Sequence, residues 1–449
     1  MSIVEARMPA VPRLPNGPVE YNSEWAAQYS NVLRLYFNQL NYVLGQLVAN
    51  QGPYQVGFYG TALDAFGRAR MSEPMTLFDS QNRFQADDQF DTSTATGGST
   101  TYQSNESTLD LNVTTSSGSE VVRQTYRCMP YQPGKSLEVM CTFVMNAAKT
   151  NLRQRVGYFN SQNGVFFQQA DTTKSFVLRT YTSGTVSDAR TVNQADWNGD
   201  KLDGTGDSGY TLDTTKSQIF WCDLEWLGVG SVRCGFVING QLIICHTFNN
   251  ANDLAKVYMT TAILPVRYEI TNTGATASSS TMKQICSTVI SEGGYEQQVK
   301  QQIARRTSAL ASIGTTLIPL VSIRLKSTRL NAVVLPQLVT VFPTSSGNYE
   351  IQLVKNSTLT GASWVTTAFN NVEYDITASA MTDGTCVQLD YSSATNQSRG
   401  SSVGPTGYNF DLQLGSTIAG VSDIYTIGVR VLTGTGDAIG GLAFIDLTD

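Results

Sequence analysis

The chain has 449 residues and a formal net charge of −6, and charged residues make up only 15% of it, against about 25% in typical soluble domains. That length leaves room for two or three domains, each with its own core. The acidic balance and the lack of a basic stripe exclude a nucleic-acid binder, and no run of about 18 apolar residues exists to span a membrane as a helix.

Residues 1–21 contain four prolines and little periodicity, which predicts an extended arm. They lack an apolar core followed by a cleavage site, so a secretory signal is not expected and synthesis is expected in the cytoplasm. Asn22 or Ser23 can cap a helix, with Glu24 in its first turn. Leu33, Phe37, Leu40, Leu44 and Leu47 then recur at spacings of four and three, the seam of a short coiled coil, and Val32, Tyr36 and Val43 widen that face. Asn50-Gln51-Gly52-Pro53 ends the helix. Two readings of this assembly helix stand: it packs on its own domain, or it self-associates or docks into a partner protein.

Residues 53–118 are expected to be an extended, turn-rich connecting segment. Tyr54 to Phe84 is aromatic and turn-rich, and Asp91 to Gly118 is dominated by Ser, Thr, Gly and Asn, a composition of loops and exposed strand edges. A central domain is expected over 119–294, where many short alternating runs with frequent turn signals indicate an antiparallel, jelly-roll-like β-sandwich. Residues 295–314, rich in Gln, Ala and Arg, are expected to be a linker. Alternation in Tyr349, Ile351 and Leu353, in Phe410, Leu412 and Leu414, and in Tyr425, Ile427, Val429 and Val431 predicts a C-terminal β-sandwich over 315–449. The fold class is thus mainly β, with one N-terminal α-helix.

The sharpest local prediction is a hairpin. Phe220, Cys222, Leu224 and Trp226 lie two apart, and so do Val232, Cys234, Phe236 and Ile238. Asn239-Gly240 then supplies the positive φ values of a type I′ turn. A two-residue loop sets Ile238 opposite Gln241, Phe236 opposite Ile243 and Cys234 opposite Cys245, with Arg233 opposite His246. The seven cysteines are odd in number and contain no C-x-x-C pair, so free thiols are expected even at Cys234 and Cys245, where the facing geometry permits a disulfide.

Trp197–Asn252, together with FGRARMSEPMTLFDS (66–80), LRQRVGYFNSQNGVFF (152–167), LPVRYEITNTG (264–274) and LRLYFNQLNYVL (33–44), resembles a group of virion structural proteins of tailed bacteriophages, particularly phages of cyanobacteria and marine bacteria. The matches span most of the first 275 residues. The resemblance implies a particle component with other virion proteins as partners, and it carries no catalytic residues with it.

Four features invite chemistry. Gly206-Asp207-Ser208-Gly209 has the look of a nucleophile loop, but the chain holds a single histidine, His246, with no motif around it. Asp196, Asn198, Asp200 and Asp207 occupy positions one, three, five and twelve of a calcium loop, but the sixth position is Lys201 instead of glycine. A hydrogen-bonded Asx-rich loop is the favoured reading there, with calcium the alternative and no other cofactor expected. Asp223 and Glu225 lie two apart on one strand, the kind of pair that serves a glycoside hydrolase or simply faces solvent. Aromatics in a shallow groove of the C-terminal domain would suit a host-surface glycan.

These readings converge on a non-enzymatic structural component of a phage particle. It is expected in the tail, as a fibre, baseplate or adaptor protein for assembly and host attachment, with a capsid decoration or head-fibre protein as the rival placement. A homo-oligomer of three copies is expected. A glycan-binding lectin-like module and a polysaccharide depolymerase are the alternatives from other classes.

Overall fold

A computed structural model describes residues 23–50, 73–296, 300–366, 371–394, 401–403 and 410–448. The chain divides into two compact units, Met1–Ser72 and Glu73–Asp449.

In the first unit the expected helix spans Ser23–Asn50, with Glu24 in its first turn. Leu33 and Leu40 are half-buried and Phe37 is exposed. The side chains of Leu44 and Leu47 lie outside the described residues. The prolines before Ser23 and the segment 51–72 lie outside them as well.

The second unit begins with a sandwich of two antiparallel sheets. The first sheet runs, strand by strand, Gln241–Phe248, Val232–Ile238, Gln218–Leu224, Leu137–Val144, Ser280–Ser291, Thr108–Val113 and Ser99–Gln103, and Met75–Gln81 pairs with the other half of Ser280–Ser291. The second runs Ser187–Asn193, Thr173–Thr180, Gly164–Ala170, Leu152–Phe159, Val266–Asn272, Glu120–Thr125 and Phe90–Ala95. Neighbours far apart in sequence, such as Leu152–Phe159 beside Val266–Asn272, give the crossed connectivity of a jelly-roll-like sandwich. Leu137–Val144 buries every second residue, the period of a strand with one face on a core. Between the sheets, Phe167 meets Phe236 edge-on at 5.2 Å, and Trp197 stacks on Phe176 at 4.3 Å.

Residues 53–118, where described, are therefore not a connecting segment. Four of their stretches are strands of this sandwich. Ser99–Gln103 is an edge strand with mostly exposed side chains, as the exposed strand edges expected over Asp91 to Gly118 anticipate. The expected linker 295–314 is also corrected: Lys300–Arg305 and Leu310–Ile313 pair with Gly436–Asp446 in the second sandwich.

That second sandwich packs Lys300–Arg305, Gly436–Asp446, Val334–Pro343 and Ser401–Val403 against Val372–Asp375, Ile318–Leu325, Ile424–Val431, Gly347–Lys355 and Thr385–Ala394. The runs from Tyr349 and from Tyr425 form strands as expected, whereas Phe410–Leu412 is a single 3-10 turn. The turn serves the seam between the sandwiches. Phe410, Val333, Leu335, Ile445 and Leu447 belong to the core of the first sandwich. Gln413 donates to the Cys128 carbonyl at 2.8 Å, the Ser416 amide to the Tyr126 carbonyl at 2.8 Å and the Ile418 amide to Asp91 at 2.7 Å.

The hairpin turns at Asn239 and Gly240 with φ of 51° and 77°, as a type I′ turn requires. Ile238 faces Gln241 and Phe236 faces Ile243, but the register shifts beyond Gly235, so Cys234 faces His246 and Arg233 faces Thr247. Cys245 is the extra residue of a β-bulge, and the expected pairs Cys234–Cys245 and Arg233–His246 are corrected. All seven cysteines are free.

Candidate functional site

Charge on the first sandwich concentrates on the outer face of the second sheet. Val156 and Tyr158 point into the core, so alternation places Arg155, Gly157 and Phe159 on the other side. Phe159, Phe166 and Val177 form a small apolar cluster there. Arg155 and Arg179 lie over the Phe166 ring at 5.2 and 5.1 Å, and Arg267 lies over Phe159 at 5.5 Å. Glu269 stands among them, 2.9 Å from Arg267, 3.1 Å from Arg153 and 3.4 Å from Arg155. Burial opposes ionisation of Glu269, but the three guanidiniums outweigh it and hold the carboxyl at about 2. Asp188 closes the layer with a bidentate pair to Arg179 at 2.8 and 2.8 Å. Such a layer of mutually paired charges stiffens the face and offers no poised proton.

Open space lies along the seam. Two hollows of about 700 and about 400 Å³ share Thr261, Ile263 and Thr448, and so form one groove. Its wider end carries Arg267, Arg329, Gln124, Asn160, Gln162 and Asn331, and its narrower end carries Tyr131, Trp226 and Tyr295. Among the described residues no aspartate or glutamate lines either hollow. Another hollow, of about 690 Å³, is lined by Asp79, Asp88 and Asp411 with Arg127 and Lys355, and one of about 500 Å³ lined by Asp88, Asp423 and Lys355 shares Thr417 with the groove. There Arg127 pairs with Asp411 at 3.4 Å and Lys355 with Asp423 at 3.1 Å, which leaves those hollows acidic.

The residues singled out in the sequence do not come together. His246 is buried; its Nδ1 accepts the Asn198 amide at 3.3 Å and its ring meets Phe248 at 4.5 Å. Burial, then the nearby Arg190, lowers its pKa, which keeps the ring neutral. The Ser208 hydroxyl accepts the Tyr210 amide at 3.2 Å, and among the described residues no hydrogen bond joins Ser208 to His246. The nucleophile-loop likeness therefore ends as a turn.

The Asp-rich loop is internally satisfied. Asp200 accepts the Leu202 and Ser208 amides, both at 2.8 Å, and Asn198 bridges to Thr247 through both its side-chain atoms at 2.9 and 2.8 Å. Asp196 falls on a single 3-10 turn. Among the described residues no group of three or more His, Cys, Asp or Glu side chains is placed to hold a metal ion, so Asp196, Asn198, Asp200 and Asp207 do not converge as a calcium loop would need.

Asp223 and Glu225 also part company. Asp223 is buried and paired with Arg233 on the neighbouring strand. Burial, outweighing Arg233, raises its pKa, and Glu138 opposite it adds to the rise. Glu225 lies exposed beyond the end of the strand. Aromatic and amide side chains line the groove at the seam. Composition gives no signal for that groove, whose residues come from segments more than 100 positions apart.

No protein-family model matches this chain, and no curated protein matches it. Among solved structures, the chain is similar to the carbohydrate recognition domain of Emp47p, with 11% identity over 48% of this chain and 94% of that one and a TM-score of 0.30. It is similar to arcelin-5, a lectin-like defense protein of Phaseolus vulgaris, with 12% identity over 49% and 98% and a TM-score of 0.31. A β-1,3-glucanase of Mycobacterium marinum gives 11% over 48% and 98% and a TM-score of 0.33. Likeness at this level identifies neither a ligand nor a reaction for this chain.

Proposed function

We propose that this chain is a non-enzymatic structural component of a tailed-phage particle that takes part in assembly and host attachment. The helix Ser23–Asn50 joins copies of the chain, three in number, and the sandwich pair faces the host. One observation carries the reading: the helix exposes Leu35 and Phe37, at 59% and 54%, beside half-buried Leu33 and Leu40. Large apolar side chains along a 28-residue helix ask for a partner surface. The phage resemblance of the first 275 residues supports the same reading, as does the engagement of His246, Asp200 and Asp223 in structural bonds. Tail placement, with synthesis in the host cytoplasm, belongs to this proposal.

The test combines light scattering with electron microscopy of the intact particle. The full chain is expected as a trimer, and Phe37→Ser with Leu40→Ser as a monomer with unchanged far-ultraviolet dichroism. A monomeric full chain, or a particle that lacks it, would sink the proposal.

A further inference from the structure

We propose that the acid-free groove of the seam binds a carboxylate-bearing oligosaccharide, a chain containing uronic or sialic acid. The inference deepens the attachment reading and rests on it for its biological setting; the binding itself is a property of the isolated protein.

Charge points to the sign of the ligand. The protein is acidic overall, and the neighbouring hollows are lined by Asp79, Asp88, Asp411 and Asp423, yet this groove holds two arginines and, among its described lining, no acid. The two arginines differ in state. Arg267 is held by Glu269 at 2.9 Å and by Gln124 at 3.1 Å, whereas Arg329 is exposed and, among the described residues, its guanidinium has no hydrogen-bond or ion-pair partner. A single uncommitted guanidinium matches one carboxylate in a bidentate pair. It is far from the run of cations that a nucleic acid or a polyphosphate needs.

The rest of the lining points to a sugar. Gln162 and Asn331 supply amides to the space, and half-buried Trp226, backed by the buried Tyr131, supplies aromatic surface at the narrower end. Pyranoses present a rim of hydroxyls that pairs with amides and an apolar C–H face that stacks on aromatic rings. These two needs are met about one hollow apart, so the groove suits a chain of sugars more than a single one. Tyr131 and Trp226 are fixed in place: the Tyr131 hydroxyl accepts the Trp226 and Leu227 amides at 3.2 and 3.1 Å, and the Trp226 indole donates to the Met259 carbonyl at 3.1 Å. A volume of about 700 Å³ at the wider end lies within the range of small-molecule sites.

The experiment is calorimetric titration of the full chain with acidic oligosaccharides, namely galacturonate, mannuronate and sialylated oligomers, against the methyl esters of the same sugars and against inorganic polyphosphate. At least one acidic oligomer is expected to bind, about tenfold more tightly than its ester, with Arg329→Gln weakening it by a similar factor and Arg305→Gln, away from the groove, leaving it unchanged. Failure of every acidic oligomer to bind, equal binding of acid and ester, equal binding of polyphosphate, or an unaffected Arg329→Gln variant would each overturn the inference. Retained trimers and particle incorporation in that case would leave the structural role standing.

Discussion

Cys234 faces His246 across the hairpin because Cys245 is squeezed out as the extra residue of a bulge. Gly235 sits at the shift. A Cβ built there would lie 2.0 Å from the Ile243 carbonyl oxygen, so the bulged strand approaches closer than any other residue permits. Gly235→Ala is expected to lower stability by about 1–3 kcal/mol, the scale of an overpacked core site, in denaturant unfolding followed by tryptophan emission. An unchanged midpoint would mean that the strands separate at little cost.

Glu269 sets an acid limit on the first sandwich. Its folded pKa of about 2 lies below the ordinary 4.5, so the ionised form is favoured by folding. The stability it contributes is therefore complete above about pH 4.5 and is lost as the pH falls towards 2. Glu269→Gln leaves the buried Arg155 and the half-buried Arg267 without this carboxylate and is expected to cost about 3–5 kcal/mol at neutral pH. Below about pH 2 the variant and the parent should converge. Unfolding curves between pH 2 and 7 would check both, and a penalty of equal size at every pH would count against the electrostatic explanation.

What could be read from sequence was local. The alternation in the runs from Tyr349 and Tyr425 and the Asn239-Gly240 turn are set by neighbours two to four positions apart, and both appear where expected. The strand at Leu310–Ile313 escaped because only Ile313 of its four side chains is buried, and what makes it a strand is backbone pairing with the distant Gly436–Asp446. Gly235 in a strand interior was a legible sign of the bulge. The seam groove had none, since Gln124, Asn160, Arg267 and Arg329 meet only after both sandwiches have formed.

Calcium should do nothing for the loop that follows Trp197. The two carboxylate oxygens of Asp200 already accept amides of Leu202 and Ser208 at 2.8 Å. Gly206 approaches so closely that a Cβ there would lie 2.3 Å from Asp200 Oδ1. Thermal midpoints measured in millimolar calcium and in a chelator are expected to coincide. Asp200→Ala should cost about 1–2 kcal/mol, as removal of a capping carboxylate does, and calcium should not restore it. A calcium-dependent rise in the midpoint of the parent, lost in Asp200→Ala, would reinstate an ion site.

The two sandwiches are expected to unfold as one body. Val333, Leu335, Ile445 and Leu447 come from the second sandwich yet sit in the core of the first, so neither can open without exposing apolar surface of the other. Arg127 pins the joint: it donates to the Phe410 carbonyl and, at 2.6 Å, to Gln89, and it lies 5.7 Å over the Phe78 ring. Scanning calorimetry should show a single endotherm for the sandwich pair. Arg127→Met keeps the length of the stem but strips the donors from Phe410 and Gln89, at a cost of about 1–3 kcal/mol. For a body as large as Glu73–Asp449 that lowers the midpoint by only about 1–2 °C per kcal/mol, and the endotherm should broaden as the joint loosens before the cores do. Two separate endotherms in the parent protein would show instead that each sandwich is stable alone and that the shared residues at the seam are a contact, not a core.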